Sequence, residues 1–221
     1  MFKAIGFDMD GTLIDSDIDY ARLGMVEHDV LTSLGVPSKV FAHMMSEKDM
    51  LVAGIDYLHS IGKDISSDEL ERMVNEESTR IETLNISSSK PFPMVRELLD
   101  EISSKGYKIG LLSRGHRGYV LKTMDRFDLT GYFDAIEAYD DHPVGEQKPN
   151  PVAMEYLAKG LGVRTDEMIY VGDAVTDYLC ARDSGAAFIG LAQNEHSRTM
   201  WESYNHRPEI LNNISELIGR F

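Results

Sequence analysis

Two aspartates, Asp8 and Asp10, stand two positions apart in Phe7-Asp8-Met9-Asp10-Gly11-Thr12, directly after an apolar run. Ser113 follows Gly110-Leu111-Leu112, and Lys148 lies in Glu146-Gln147-Lys148-Pro149-Asn150-Pro151. Asp173 and Asp177 follow Ile169-Tyr170-Val171-Gly172. Brought together, these carboxylates would repel by about 4 kcal/mol per pair at ~4 Å and an effective dielectric of about 20. A hard divalent cation relieves that repulsion, and ligands made only of oxygen point to Mg²⁺. The ion and Lys148 would then offset charge on a transferring phosphoryl group. A carboxylate is a competent nucleophile for such a group and would form an aspartyl-phosphate. A second carboxylic acid can protonate the leaving alkoxide and later deprotonate water. Gly11 lets the backbone turn closely against a phosphate, and the Thr12 and Ser113 hydroxyls can donate to its oxygens.

Each of these residues has a plainer reading when taken alone. Asp-x-Asp-Gly also suits a turn or a calcium loop. Ser113 reads as a strand-end turn residue, Lys148 as a solvated lysine and Asp177 as a helix cap. Arg114 can face a substrate anion or solvent. Asp140, Asp141 and His142 read as a polar loop, and the seven histidines, His43 and His59 among them, show no ligand spacing. Cys180 lies in an apolar helical pattern and reads as a buried structural thiol rather than a nucleophile.

What must position the polar groups is an alternation of strands and helices. Candidate strands are 2–7, 108–112, 135–138, 168–171 and 187–191. Helical spacing marks 94–105, with Gly106 to stop it, then 152–160 after Pro151, 176–184 before Gly185, and a closing helix at 210–218. This alternation predicts a parallel sheet covered on both faces. In such a sheet ligands bind beyond the carboxyl ends of the strands, where Asp8, Asp10, Ser113, Lys148, Asp173 and Asp177 would converge. One block breaks the pattern: 18–34, 38–60 and 68–84 look helical, with no convincing strand between about residues 15 and 90. An inserted helical domain at about 17–92 follows, within a Rossmann-like α/β core of 1–16 and 93–221. Ser87-Ser88-Ser89-Lys90-Pro91-Phe92-Pro93 would form its exit hinge. The stretch 194–208, with the single Trp201, carries no legible pattern, and the twelve methionines suit core filling.

Bulk composition narrows the classes. The chain has 221 residues, 43% hydrophobic and 27% charged, as expected of a soluble globular protein. The net charge of −15 disfavours nucleic acid and anionic membranes as partners. No apolar run approaches the roughly 20 residues of a membrane span. The opening residues do not follow the pattern of a secretory signal, and a single cysteine fits a reducing cytoplasm.

The whole pattern resembles the haloacid dehalogenase superfamily, and within it the phosphatases with a helical cap inserted after the first motif. That family places a strand before Asp-x-Asp-Gly-Thr, then a strand-end Ser or Thr, a Lys, and Gly-Asp-x-x-x-Asp. Here these are Asp8-Met9-Asp10-Gly11-Thr12, Ser113, Lys148 and Gly172-Asp173-Ala174-Val175-Thr176-Asp177, in the family's order along the whole chain. The resemblance implies Asp8 as nucleophile and Asp10 as general acid/base. It implies Mg²⁺ held by Asp8, the Asp10 carbonyl and Asp173, with Asp177 supporting the ion's waters or Lys148. Ser113 and Lys148 would hold the phosphoryl group. Arg114 stands where relatives commonly have Asn, which makes it a candidate phosphate contact beside Thr12. By the same resemblance the cap selects the leaving group, with Arg22, Lys39, His43 and Lys48 as candidates, and the substrate is a small phosphorylated metabolite such as phosphoglycolate. The alternatives are a β-phosphoglucomutase-type transferase, which shares every core motif, a dehalogenase, a phosphoaccepting signalling module and an acidic binding protein. Asp10 and Asp173 argue against the dehalogenase, and Asp10 and the insert against the signalling module.

Overall fold

The structure is a computed structural model that describes residues 2–43, 46–205 and 207–221. Met1, Met44 and Met45, and His206 in the 194–208 stretch, lie outside the described residues. In chain order the elements are β1 (Ala4–Phe7), β2 (Ile14–Asp15), α1 (Tyr20–Leu23), α2 (Val26–Ser33), α3 (Glu47–Ser60), α4 (Ser67–Glu82) and β3 (Lys90–Pro91). Then come α5 (Val95–Ser104), β4 (Lys108–Leu112), α6 (Arg117–Arg126), β5 (Ala135–Glu137), α7 (Val152–Leu161) and β6 (Met168–Gly172). The chain continues with α8 (Val175–Ser184), β7 (Ala187–Leu191), α9 (Glu195–Ser203) and β8 (Glu209–Leu211).

These elements form two compact units, one of Met1–Asp17 with Ser87–Phe221 and one of Ile18–Ile86. The first unit holds a six-stranded sheet in the order β5-β4-β1-β6-β7-β8, with every neighbouring pair parallel. Every residue of β1 and β6 is buried. That explains their continuous apolar runs, since parallel strands are covered on both faces. Met154, Leu157, Met168, Tyr170 and Cys180 pack in one core cluster between sheet and helices. Gly162 and Gly185 end α7 and α8 in the left-handed conformation. The chain segments on either side of the insert pair as antiparallel β2 and β3, with Ile14 opposite Pro91 and Asp15 opposite Lys90.

The second unit is helical and has its own core, including Leu31, Leu58, Leu70, Val74 and Ile81. The expected 18–34 helix divides at Gly24 and Met25 into α1 and α2. Of the expected 38–60 helix, Ser38–Val40 forms a short 3-10 turn and α3 begins only after Ser46, which caps it. Ser66 caps α4 by accepting from the Glu69 amide at 3.1 Å.

The expected closing helix at 210–218 is corrected. Ile210 and Leu211 belong to β8, which pairs with β7, and Ile214–Leu217 is a single 3-10 turn. The amides of Asn212 and Asn213 donate to Glu216 at 2.9 and 3.2 Å and break the run. Strand end and turn together bury Leu211, Ile214 and Leu217, which mimics helical spacing. The unread 194–208 stretch holds α9, capped by Asn194, with Trp201 buried and donating to the Leu191 carbonyl at 3.0 Å.

Candidate functional site

Three strand ends deliver the chemistry-bearing groups. Phe7 lies opposite Leu111 on one side and Val171 on the other, so Asp8 emerges between the ends of β4 and β6. Ser113 leaves β4 there, and Asp173 follows Gly172 of β6. The Asp8 amide donates to the Val171 carbonyl at 2.9 Å, which fixes its backbone against β6.

Lys148, only 4% exposed, arrives from the long loop after β5. Its ammonium donates at 2.6 Å to Asp8 Oδ1, at 2.6 Å to Asp177 Oδ1 and at 3.0 Å to the Tyr170 hydroxyl. Asp177 is engaged on both oxygens, because Oδ2 accepts from the Ala174 amide at 3.0 Å at the start of α8. Burial works against the Lys148 charge, but Asp177 and Asp8 outweigh it and hold the lysine well above its ordinary range. Asp8 moves the other way from a usual carboxylate. Burial is the main cause, and it is pushed up to about 7 even though Lys148 opposes the shift. Asp173 is also raised well above its ordinary value, by burial and then by the neighbouring Asp8 and Asp177 charges.

Asp10 is half-buried and accepts from the Tyr119 hydroxyl of α6 at 2.6 Å. Gly11 has φ +81°, and a Cβ there would lie 2.1 Å from Asp173 Oδ2. Both the conformation and the close carboxylate therefore require glycine. Ser113 is buried, and its Oγ accepts from the Gly115 amide at 2.9 Å, which leaves its hydroxyl proton to donate. Thr12 is fully buried, and its Oγ1 has no hydrogen-bond partner among the described residues. Arg114 is exposed beside Ser113.

The oxygens of Asp8, Asp173 and Asp177 lie within 4.8 Å of one another and form a candidate metal centre. Their chemistry fits a hard divalent cation, since all three offer carboxylate oxygens and a cation would relieve the burial and crowding that raise Asp8 and Asp173. The Asp10 side chain is not part of that group.

Other sequence candidates lie elsewhere in role. Arg117 grips Asp141, its Nη2 donating at 2.7 Å, and the Arg117 amide donates to Asp140 at 2.6 Å. His142 pairs with Glu137 at 2.8 Å and stacks on Tyr156. These contacts shape a polar loop. Cys180 is fully buried, donates to the Asn150 carbonyl at 3.2 Å, and burial pushes its thiol up to about 11, away from nucleophilic character.

Three residues were not singled out from the sequence. Tyr170 was read only as part of a strand, although a buried tyrosine needs a partner for its hydroxyl. Tyr119 sits on a helix and gave no signal. Gln193 follows β7, and the strand-end rule that found Ser113 applies to it as well. Its Nε2 donates to the Gly11 and Thr12 carbonyls at 3.1 and 2.8 Å, and its Oε1 accepts from the Ile214 amide at 2.8 Å. It anchors the Asp10–Thr12 turn.

The profile of the haloacid dehalogenase-like hydrolases matches residues 5–191. A phosphoglycolate phosphatase of Vibrio parahaemolyticus is 28% identical over 94% of this chain and 87% of that enzyme. One from Yersinia pestis is 31% identical over 86% of this chain and 82% of its own. The solved structure of a β-phosphoglucomutase from Clostridium difficile covers this chain completely, at TM-score 0.60, 19% identity and 95% of its own length. A Pseudomonas syringae hydrolase likewise covers it completely, at TM-score 0.64, 20% identity and 97% of its own length. These two establish the α/β, Rossmann-like fold. The motif order, the strand-end cluster around Lys148 and the profile match agree: the chain belongs to the haloacid dehalogenase-like hydrolases and is an enzyme of their phosphatase kind.

Proposed function

We propose that the enzyme is a Mg²⁺-dependent phosphomonoesterase that acts on a small phosphorylated metabolite through an aspartyl-phosphate on Asp8. The observation that carries this reading is the buried Lys148 ammonium shared between Asp8 and Asp177 inside a cluster of carboxylates. A bound Mg²⁺ would supply positive charge to the phosphoryl oxygens, held by Asp8, the Asp10 carbonyl and Asp173, with Asp177 behind them.

Asp8 attacks phosphorus with a carboxylate oxygen as the bond to the leaving oxygen breaks. Asp10 gives its proton to that oxygen, and the Tyr119 hydrogen bond orients it for the task. The Ser113 hydroxyl holds the phosphoryl oxygens, and so does Lys148, whose donor to Asp8 Oδ1 passes to a phosphoryl oxygen as that carboxylate is esterified and offsets its charge. Asp10, now a carboxylate, takes a proton from water, whose oxygen attacks phosphorus and releases Asp8. Inorganic phosphate leaves.

In this reading 1–16 and 93–221 form the catalytic core, and the helical insert at 17–92 is the cap that selects the leaving group. Phosphoglycolate is the first substrate to try, because relatives of 28–31% identity over most of the chain carry that name. Arg114 would meet a substrate anion beside Ser113. Among the described residues no helix is long and apolar enough to cross a membrane, and a single buried cysteine fits a reducing cytoplasm as the setting of this reaction.

A screen of phosphorylated metabolites for phosphate release, with Mg²⁺ and with a chelator, tests the proposal. Release that needs Mg²⁺ and peaks on one small phosphate ester supports it. Transfer of label between sugar phosphates without free phosphate would point to the mutase chemistry instead.

A further inference from the structure

The Tyr170 hydroxyl has no part in the phosphatase reading above, yet it lies at the centre of the site. We propose that Tyr170 is a positioning residue that aims the Lys148 ammonium at Asp8 and, through the Leu112 carbonyl, sets the peptide that carries Ser113. The inference rests on the phosphatase reading and assigns a role within that same site.

An ammonium has three donors and no acceptor. In Lys148 they are spent on Asp8, Asp177 and the Tyr170 oxygen. The phenol must therefore accept from Lys148, which turns its own proton elsewhere. It donates that proton to the Leu112 carbonyl at 2.7 Å. The direction of both bonds is thus settled by chemistry, and three contacts in three directions hold the ammonium where two would let it swing.

The reach of this side chain is unusual. Tyr170 belongs to β6 and Leu112 to β4, and β1 lies between them. The ring crosses β1 at Gly6, its register partner. A Cβ at Gly6 would come within 2.8 Å of the Tyr170 ring carbon Cδ2. Glycine weakens a strand interior, so its presence in the central strand is accounted for by the ring that passes over it. The hydroxyl joins the ends of β4 and β6 on either side of the strand that carries Asp8. A phenylalanine would fill the same buried space without bringing a polar group that needs partners. The hydroxyl is therefore explained by what it holds.

The test compares wild type, Tyr170→Phe, Lys148→Met and the double variant, with para-nitrophenyl phosphate and Mg²⁺. Tyr170→Phe keeps the ring and its packing, and a melting curve checks the fold. We expect kcat to fall about tenfold with KM within about twofold, since the contact orients groups that act on the transition state. In the Lys148→Met background the second substitution should cost less than about threefold, because only the Leu112 contact to the Ser113 peptide is left to lose. Wild-type kcat in Tyr170→Phe, or a full tenfold further loss in the double variant, would overturn the positioning role and leave the phosphatase reading intact. A wild type that releases no phosphate would overturn both. A lowered melting temperature with unchanged kcat would assign Tyr170 to packing alone.

Discussion

Two polar clusters of similar composition lie in the parallel-sheet unit, and their surroundings give them different work. Around Lys148, a cation and carboxylates sit almost out of water, with side chains of Lys148 and Asp177 each 2% exposed. At the 139–146 loop, Arg117 of α6 holds Asp141 and His142 holds Glu137 of β5, but the Arg117 side chain is 41% exposed and that of His142 25%. In the dry cluster burial raises Asp8 and Asp173 and makes each charge depend on its neighbours. In the loop cluster the Asp141 and Glu137 side chains are 15% and 17% exposed, so water reaches each pair and screens it in part. Burial, more than residue type, separates a chemical site from a well-paired loop.

Substitutions in the two clusters should differ in effect by orders of magnitude. Replacing Asp8 by Asn should remove essentially all turnover, a loss of about 10⁴-fold or more in kcat, because no other group can accept the phosphoryl. Lys148→Met should lower kcat by about 10²–10³-fold, the cost of one buried donor at developing charge. It also leaves Asp8 and Asp177 without their cation, which costs stability unless they take up protons. Asp10→Asn should slow turnover by about 10²–10⁴-fold, with the loss smallest for substrates whose leaving group needs no proton, such as para-nitrophenyl phosphate.

The dry cluster also predicts a pH dependence of stability. Asp8 titrates at about 7 in the folded chain against an ordinary value of 3.8. Its raised value means that the folded state holds the proton more tightly than the unfolded state. The metal-free enzyme should therefore lose stability relative to Asp8→Asn as pH rises from about 4 to about 7, then level off. Added Mg²⁺ favours the charged carboxylates, so its stabilisation should grow over the same range. Melting curves of both proteins at several pH values, with chelator and with Mg²⁺, measure this. A gap that is constant with pH would contradict the raised Asp8. The smallest effect belongs to the wet loop: His142→Ala should change kcat by less than about twofold and stability by about 1 kcal/mol or less.

The sequence was most legible where chain direction does the placing. β4 and β7 run over the residues that apolar runs marked, 108–112 and 187–191, and the strand-end rule located Asp8, Ser113 and Asp173 without knowledge of sheet order. Lys148 was visible only through its motif, because a long loop carries it and its burial depends on partners 140 and 29 residues away. Tyr170 and Tyr119 make contacts decided by sheet order and helix docking, and local periodicity carries no record of either, whereas Gln193 follows the end of β7 and falls under the same strand-end rule as Ser113. The closing helix misled because one strand end and one 3-10 turn can bury Leu211, Ile214 and Leu217 at helical spacing.

A covalent phosphoryl group on Asp8 separates this mechanism from direct attack by water. Mixing enzyme with substrate and Mg²⁺, quenching in acid within the first turnover and mapping the peptides by mass tests it directly. The expected result is a phosphoryl group on the peptide bearing Asp8, absent when Asp8→Asn is treated alike. Rapid phosphate release with that peptide unmodified, and with Asp8→Asn still active, would contradict it.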